Sequence, residues 1–307
     1  MKPSLSDVVR GKQDKPVNVL VYGKDGIGKS SFAADAPGVI FLDVEGSTVE
    51  LDVERLPHAE TLEEVNDRID LLLNDKHSYR SLAIDTWDWF EPMIWRDVIR
   101  SRPGKDVQSI EDFGYGKGYV YAVDTWRALL ARLERLKREK SMNIISLAHG
   151  AVRTFINPEG EDYDRYELKV HKSIAGVLRE WPDAVLFATY ETFAIKSKTA
   201  RKAKGAGDGK RVLYTEERPA FHAKNRYGLP FELSLSWEEF WKHARGAGAE
   251  TADAVIARIR ERFAPTELAT KAENGITKIG NDLRKLRGFE NYLATQLKAK
   301  ETEECET

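Results

Sequence analysis

The segment that most restricts this chain is a short apolar run followed by a glycine turn. Val17-Asn18-Val19-Leu20-Val21-Tyr22 is rich in β-branched residues and closes on glycine, the pattern of a buried strand. Gly23-Lys24-Asp25-Gly26-Ile27-Gly28-Lys29-Ser30 follows at once and fits G-x-x-x-x-G-K-[ST] without a mismatch. Ser31-Phe32-Ala33-Ala34 behind it can open a helix. Strand, glycine loop and helix in that order make a phosphate cradle. The glycines let backbone N–H groups wrap an anion where a Cβ would clash, and the helix N-terminus adds positive potential. The spacing puts Gly23, Lys24, Asp25, Gly26, Ile27, Gly28, Lys29, Ser30 and Ser31 around a nucleotide, with ATP as the default. Lys29 then reaches the β- and γ-phosphates, and the Ser30 hydroxyl ligates Mg²⁺.

Four more apolar runs follow, at 39–43, 81–85, 143–148 and 184–190. Continuous apolar strands suit a parallel sheet covered on both faces. Helical patterns lie between them. Residues 125–140 put Trp126, Leu129, Leu130, Leu133 and Leu136 on one stripe, and 63–73 read similarly. Strands alternating with helices predict an α/β fold with a mostly parallel central sheet flanked by helices. The aromatic group Trp87, Trp89, Phe90, Met93 and Trp95 is expected in the core or in a subunit interface. After the fifth run the pattern changes to short hairpin strands at 192–198, 210–215 and 221–226. The connector at 196–211 carries Lys196, Lys198, Arg201, Lys202, Lys204, Lys210 and Arg211 against Asp208 alone, which reads as a solvated hairpin tip. Gly246-Ala247-Gly248-Ala249 reads as a linker. Residues 251–298 are helical with breaks near Pro265, Gly275 and Gly288, and an acidic tail follows. The expected organisation is an arm at 1–16, a domain at 17–245 and a helical extension at 250–307.

Composition narrows the chemistry. The 307 residues carry 48 Lys and Arg against 50 Asp and Glu, a net charge of -2, so polyanion binding is confined to local basic surfaces. The one cysteine, Cys305, excludes an internal disulfide, a cysteine zinc site and a CxxC redox pair. There is no apolar leader and no run of membrane-spanning length, so the expected place is the cytoplasm, away from membranes.

Hydrolysis needs more than a phosphate loop. Asp85 closes the third strand, where a carboxylate can hold Mg²⁺ through water, although a strand-end aspartate can also cap the next helix. Asp43 and Glu45 close the second strand with the same parity. Carboxyl ends of parallel strands face the ligand, so either could polarise an attacking water, and Asp43 could alternatively assist the metal. The residues alone leave that choice open. His149 ends the fourth strand, where a side chain can be structural or can sense the γ-phosphate.

In order along the chain, Tyr22-Gly23 to Ser30, Phe41-Leu42-Asp43-Val44-Glu45-Gly46, Leu82-Ala83-Ile84-Asp85-Thr86, Leu147-Ala148-His149 and Ala223-Lys224-Asn225-Arg226-Tyr227-Gly228 resemble the RecA-like ATPases. Within them the pattern is similar to short phage ATP-binding proteins of the Sak type, over about residues 17–235. The resemblance implies a RecA-like core that hydrolyses ATP during phage DNA recombination and single-strand annealing. It makes Glu45 the water activator, Asp43 its neighbour and His149 the γ-phosphate sensor. It also makes Lys224 and Arg226 a cationic pair that touches the nucleotide of the adjacent subunit in a ring or filament. Two mobile loops, at 101–118 and 151–173, are then expected to hold single-stranded DNA. The first interleaves Arg102, Lys105, Tyr115, Lys117 and Tyr119 with glycine, which suits base stacking. The second is locally acidic, with Glu159, Glu161, Asp162 and Asp164. A single-strand-binding protein is a further expected partner.

The leading expectation is therefore an oligomeric, DNA-stimulated ATPase. The alternative is a P-loop small-molecule kinase or nucleotide switch without DNA binding. A GTPase lacks support, because no Asn-Lys-x-Asp guanine reader occurs.

Overall fold

The computed structural model describes residues 4, 8, 15–102, 107–191, 193–195, 204–206, 209–245, 252–266, 268–280, 285–286, 288–290, 292–293 and 296–297. Most of the arm at 1–16, Lys105, most of the basic connector, the linker at 246–249 and the acidic tail lie outside the described residues. The chain divides into two compact units, Met1–Val185 and Leu186–Thr307.

The first unit is built on β1 (Asn18–Gly23), α1 (Lys29–Ala34), β2 (Val39–Asp43), β3 (Glu54–Arg55), α2 (Leu62–Asn74), β4 (Ser81–Asp85), α3 (Trp87–Ser101), a 3-10 turn (Ile110–Phe113), α4 (Lys117–Glu139), β5 (Asn143–Phe155), β6 (Tyr163–Leu168) and α5 (Lys172–Glu180). Its sheet runs β1-β5-β4-β2-β3, all parallel, and β6 adds an antiparallel partner to β5. This is the expected mostly parallel α/β sheet flanked by helices, the architecture of P-loop nucleotide-binding proteins. The strand runs are apolar throughout because both faces are covered: every residue of β1 and β4 is buried. Helix α2 starts at a capping box in which Thr61 Oγ1 accepts from Glu64 N–H and Glu64 Oε2 accepts from Thr61 N–H. Trp126 of α4 packs edge-on against Trp87 of α3, ring centres 5.2 Å apart, and Phe90 closes the cluster. Trp87, Phe90 and Met93 are core residues, whereas Trp89 is 49% exposed.

Two expectations are corrected here. Helix α4 begins at Lys117, eight residues before the stripe that announces it. Gly118 makes that possible: a Cβ there would lie 1.9 Å from the Ile110 carbonyl oxygen. The segment 151–173, expected as a mobile loop, is instead a regular hairpin. β5 continues to Phe155 and pairs with β6 from Gly150 and Leu168 to Phe155 and Tyr163. Val152, Thr154 and Ile156 are exposed while Ala151, Arg153 and Phe155 are half-buried, the alternation of a one-faced strand rather than the continuous run of a central one.

In the second unit β7 (Ala184–Tyr190), which carries the chain in from the first, pairs antiparallel with β10 (Arg211–Tyr214). Between them β8 (Phe193–Ile195) and β9 (Lys204–Ala206) form their own hairpin. β11 (Lys224–Asn225) pairs with β7, and β12 (Glu232–Ser234) with β10. Helices α6 (Trp237–Ala244), α7 (Ala252–Phe263) and α8 (Ala269–Ile279) follow. The break near Pro265 falls between α7 and α8. The expected break at Gly275 does not occur, because the residue lies inside α8 with the Phe289 ring where its Cβ would stand.

Candidate active site

The site is assembled by strand register. β1 and β5 place Gly23 beside His149, and β2 and β4 place Asp43 beside Asp85, so β1, β2 and β4 end at one edge of the first unit, while His149, expected at a strand end, lies within β5, which runs on into its hairpin. The phosphate loop leaves β1 there. Gly26 and Gly28 take left-handed conformations, φ 69° and 105°, which a Cβ would strain. Lys29 opens α1, is only 5% exposed, and its Nζ donates to the Lys24 carbonyl across the loop at 3.0 Å. Burial lowers the Lys29 pKa, and the carboxylates of Asp85, Asp25, Asp88 and Glu45 act against that shift. A lysine held this way is a buried cation surrounded by acids.

Asp85 is 1% exposed and accepts from Ser30 Oγ at 2.7 Å and from Ser47 Oγ at 3.4 Å. Burial pushes its carboxyl up to about 6; the Ser30 hydrogen bond opposes the shift, and neighbouring Glu45 and Asp43 add to it. A carboxylate that is costly to ionise, bonded to the P-loop hydroxyl, fits a divalent cation held between Ser30 and Asp85. No cluster of three or more His, Cys, Asp or Glu among the described residues could hold a metal alone.

The two carboxylates after β2 have different surroundings. Asp43 Oδ1 accepts from Gly46 N–H at 2.7 Å, and its Oδ2 accepts from Thr48 N–H at 3.0 Å and Thr48 Oγ1 at 2.5 Å. It fastens the turn that leaves the strand. Glu45 is half-buried and accepts from Thr86 Oγ1 at 3.2 Å. His149 is held by Asp88 of α3, whose two oxygens take the His149 backbone N–H at 3.0 Å and Nδ1 at 2.8 Å. Its Nε2 lies 3.4 Å from Asp25 of the phosphate loop. The Asp88 hydrogen bond raises the His149 pKa against burial and the Lys29 charge. Burial raises that of Asp88, but the bonds from His149 outweigh it and leave Asp88 lowered.

The structure thus brings Gly23 to Ser31, Asp43, Glu45, Asp85 and His149 to one edge. The sequence reading missed Ser47, Thr48, Thr86 and Asp88. The nearest signal was Asp88 itself, three residues after Asp85, but only folding brings it to His149.

A sequence model of the AAA domain matches residues 15–227, from just before β1 to past β11. The chain belongs to the AAA-domain family. An AAA domain is a nucleotide-binding ATPase domain, typically working with Mg²⁺, and the match covers each residue of the site just described. No curated protein matches the chain.

The other described candidate residues of this AAA domain have their own local surroundings. Tyr115 is fully exposed with φ 48°, and Lys117 is exposed at the start of α4. Arg102 lies over the Tyr121 ring, 4.5 Å from its centre. Tyr119 stacks on His171 at 3.9 Å and donates to Glu111 Oε1 at 3.0 Å. In the second unit, β11 covers Lys224 and Asn225, and Arg226 follows directly after it. Asn225 Oδ1 accepts from Tyr227 N–H at 3.1 Å and Leu229 N–H at 3.0 Å, turning the chain there. Lys224 is half-buried and Arg226 exposed. No described helix is long and apolar enough to cross a membrane.

Proposed function

We propose that the chain is an oligomeric, DNA-stimulated ATPase of the phage recombination and single-strand annealing type. The observation that carries the ATPase part is the set of buried Lys29 and Asp85 with half-buried Ser30 and Glu45 beside them. In this reading Lys29 neutralises the β- and γ-phosphates, and Ser30 and Asp85 hold Mg²⁺, Asp85 through water. Bound Mg²⁺ supplies charge neutralisation on the phosphate oxygens. Glu45 orients and polarises the attacking water. The turn bonds that occupy Asp43 favour Glu45 for that role. His149 reads the γ-phosphate through Nε2.

The DNA part rests on the resemblance and on the exposed pair Tyr115 and Lys117, an aromatic face beside a cation. Lys224 and Arg226 complete the ATP site of a neighbouring subunit, and a single-strand-binding protein is a further partner. The test is ATP turnover with and without single-stranded DNA, with particle mass read in parallel. Turnover per chain should rise with protein concentration and on DNA. A Lys29→Ala chain mixed with a Lys224→Ala/Arg226→Ala chain should regain activity, because mixed interfaces pair an intact loop with intact cations. No DNA binding at low salt with ATP present removes nucleic acid from the reading. Absence of complementation removes the shared site.

A further inference from the structure

Two carboxylates with largely buried side chains stand one helical turn apart on α3, and only the first of them, Asp88, reaches the groups behind the phosphate loop. Asp88 takes the backbone N–H and Nδ1 of His149. Glu91, only 8% exposed, takes the backbone N–H of His171, at 2.8 and 3.0 Å to its two oxygens. A spacing of three residues puts both on one side of the helix. The residues they hold flank the β5–β6 hairpin. Gly150 pairs with Leu168 just inside them, and Lys169 N–H donates to the His149 carbonyl at 2.9 Å. Helix α3 therefore grips both feet of the hairpin.

The same helix begins two residues after Asp85 and is fixed in the core by Trp87 and Phe90. At its Asp88 end, the bond to Nδ1 leaves Nε2 of His149 facing the phosphate loop. At its Glu91 end, His171 stacks on Tyr119, with Trp95 edge-on to both rings. Burial raises the Glu91 pKa, and only the His171 N–H and the nearby Arg153 charge act against it. A buried acid bonded to a backbone N–H is costly to keep where an apolar residue would pack.

We propose that Asp88 and Glu91 are positioning residues that couple the nucleotide to the hairpin: Asp88 aims His149 Nε2 at the γ-phosphate of a bound nucleoside triphosphate, and Glu91 ties the same rigid helix to the hairpin's other foot and, through His171, to Tyr119. The inference rests on reading the phosphate loop as an ATP site. A nucleotide that engages His149 acts on Asp88 through the bonds that hold this foot, and α3 carries the effect to Glu91 at the other foot. With both feet held, the whole hairpin and the Tyr119 segment respond together.

The test begins with calorimetry of a non-hydrolysable ATP analogue with Mg²⁺ on the full chain, followed by amide hydrogen exchange with and without it. In the wild type, the analogue should slow exchange across 150–168 by about tenfold. Glu91→Leu should bind the analogue yet lose that response, and Glu91→Gln, which keeps an acceptor, should restore it. A second measurement does not depend on Glu91→Leu folding: a double-mutant cycle on kcat with Asp88→Ala and His149→Ala. Each change should lower kcat by about 100-fold with KM for ATP little changed, and the double should lose no more than either alone. A full hairpin response in Glu91→Leu, or additive losses in the cycle, overturns the proposal while leaving the ATPase reading intact. Failure of the wild type to bind the analogue overturns the ATP reading itself, and the coupling with it.

Discussion

The turn at 23–30 and the turn at 114–118 share a local recipe. Each sets glycines in the left-handed region, Gly26 and Gly28 in one and Gly114 and Gly116 in the other. Each hands the chain to a helix that starts at a lysine, Lys29 or Lys117. What lies behind them differs. Lys29 is buried among Asp85, Asp25, Asp88 and Glu45. Lys117 is exposed, Tyr115 is exposed beside it, and the third glycine, Gly118, is pressed under the Ile110 carbonyl. The lesson is that two turns with one local recipe are set apart by the charged groups folded behind them. Here those groups come from the ends of β2 and β4 and the start of α3. Without them a similar turn is a helix start with a solvent-facing tip.

The comparison breaks most readily at Lys29. Lys29→Ala should abolish ATP binding or turnover, since a charge-assisted phosphate contact is worth at least about 1.5–3 kcal/mol. Lys117→Ala should leave turnover without DNA unchanged. Equal turnover in the Lys29 variant would remove the site.

At the second turn, the expected effect is on stability rather than chemistry. Gly118→Ala should cost about 1–3 kcal/mol in denaturant unfolding, because the clash is with backbone. Gly116→Ala meets no atom within 4 Å and should cost about 1 kcal/mol, from its left-handed φ alone. If the order reverses, close packing is not what shapes that turn.

The pair behind the phosphate loop gives a smaller, pH-dependent effect. His149 is raised, so its share of stability is present below the ordinary histidine range and is lost as pH rises through its folded pKa. Asp88 is lowered, so its share is present above the ordinary carboxylate range and is lost as pH falls through its folded pKa. Asp88→Asn should therefore cost most near pH 6, about 1–2 kcal/mol, and less at pH 9. A penalty that is flat across this range would show that no charge is shared between them.

Much of this was legible in the sequence, for definite reasons. The phosphate loop and the strands at 39–43, 81–85 and 184–190 announce themselves by local pattern: β-branched runs, and glycines at fixed spacing before Lys29. Asp85 and Glu45 could be named because strand ends collect at a ligand-facing edge. The choice between Asp43 and Glu45 was not legible, since it depends on Thr48 folding back onto Asp43. Asp88 was hidden for a similar reason: its partner is 61 residues away. The hairpin at 150–168 was read as a loop because its acidic turn dominates the local composition, while the alternation of Val152, Thr154 and Ile156 is brief.

The smallest expected effect belongs to the exposed tip. Tyr115→Ala should weaken single-stranded DNA binding by about 1 kcal/mol, and Lys117→Ala should lower its salt dependence by roughly one phosphate contact. Both are read by titration at two salt concentrations, and unchanged binding in both variants would take the tip out of the DNA account.

The central claim is that the carboxylates behind the first turn make it a hydrolytic site. The most direct test compares ATP affinity and single-turnover hydrolysis in the wild type, Glu45→Gln and Asp43→Asn. Glu45→Gln should bind Mg²⁺-ATP with near-normal affinity and hydrolyse it more slowly by roughly two to four orders of magnitude, while Asp43→Asn mainly loses thermal stability. Full turnover in Glu45→Gln, with hydrolysis stalled in Asp43→Asn instead, would contradict the assignment.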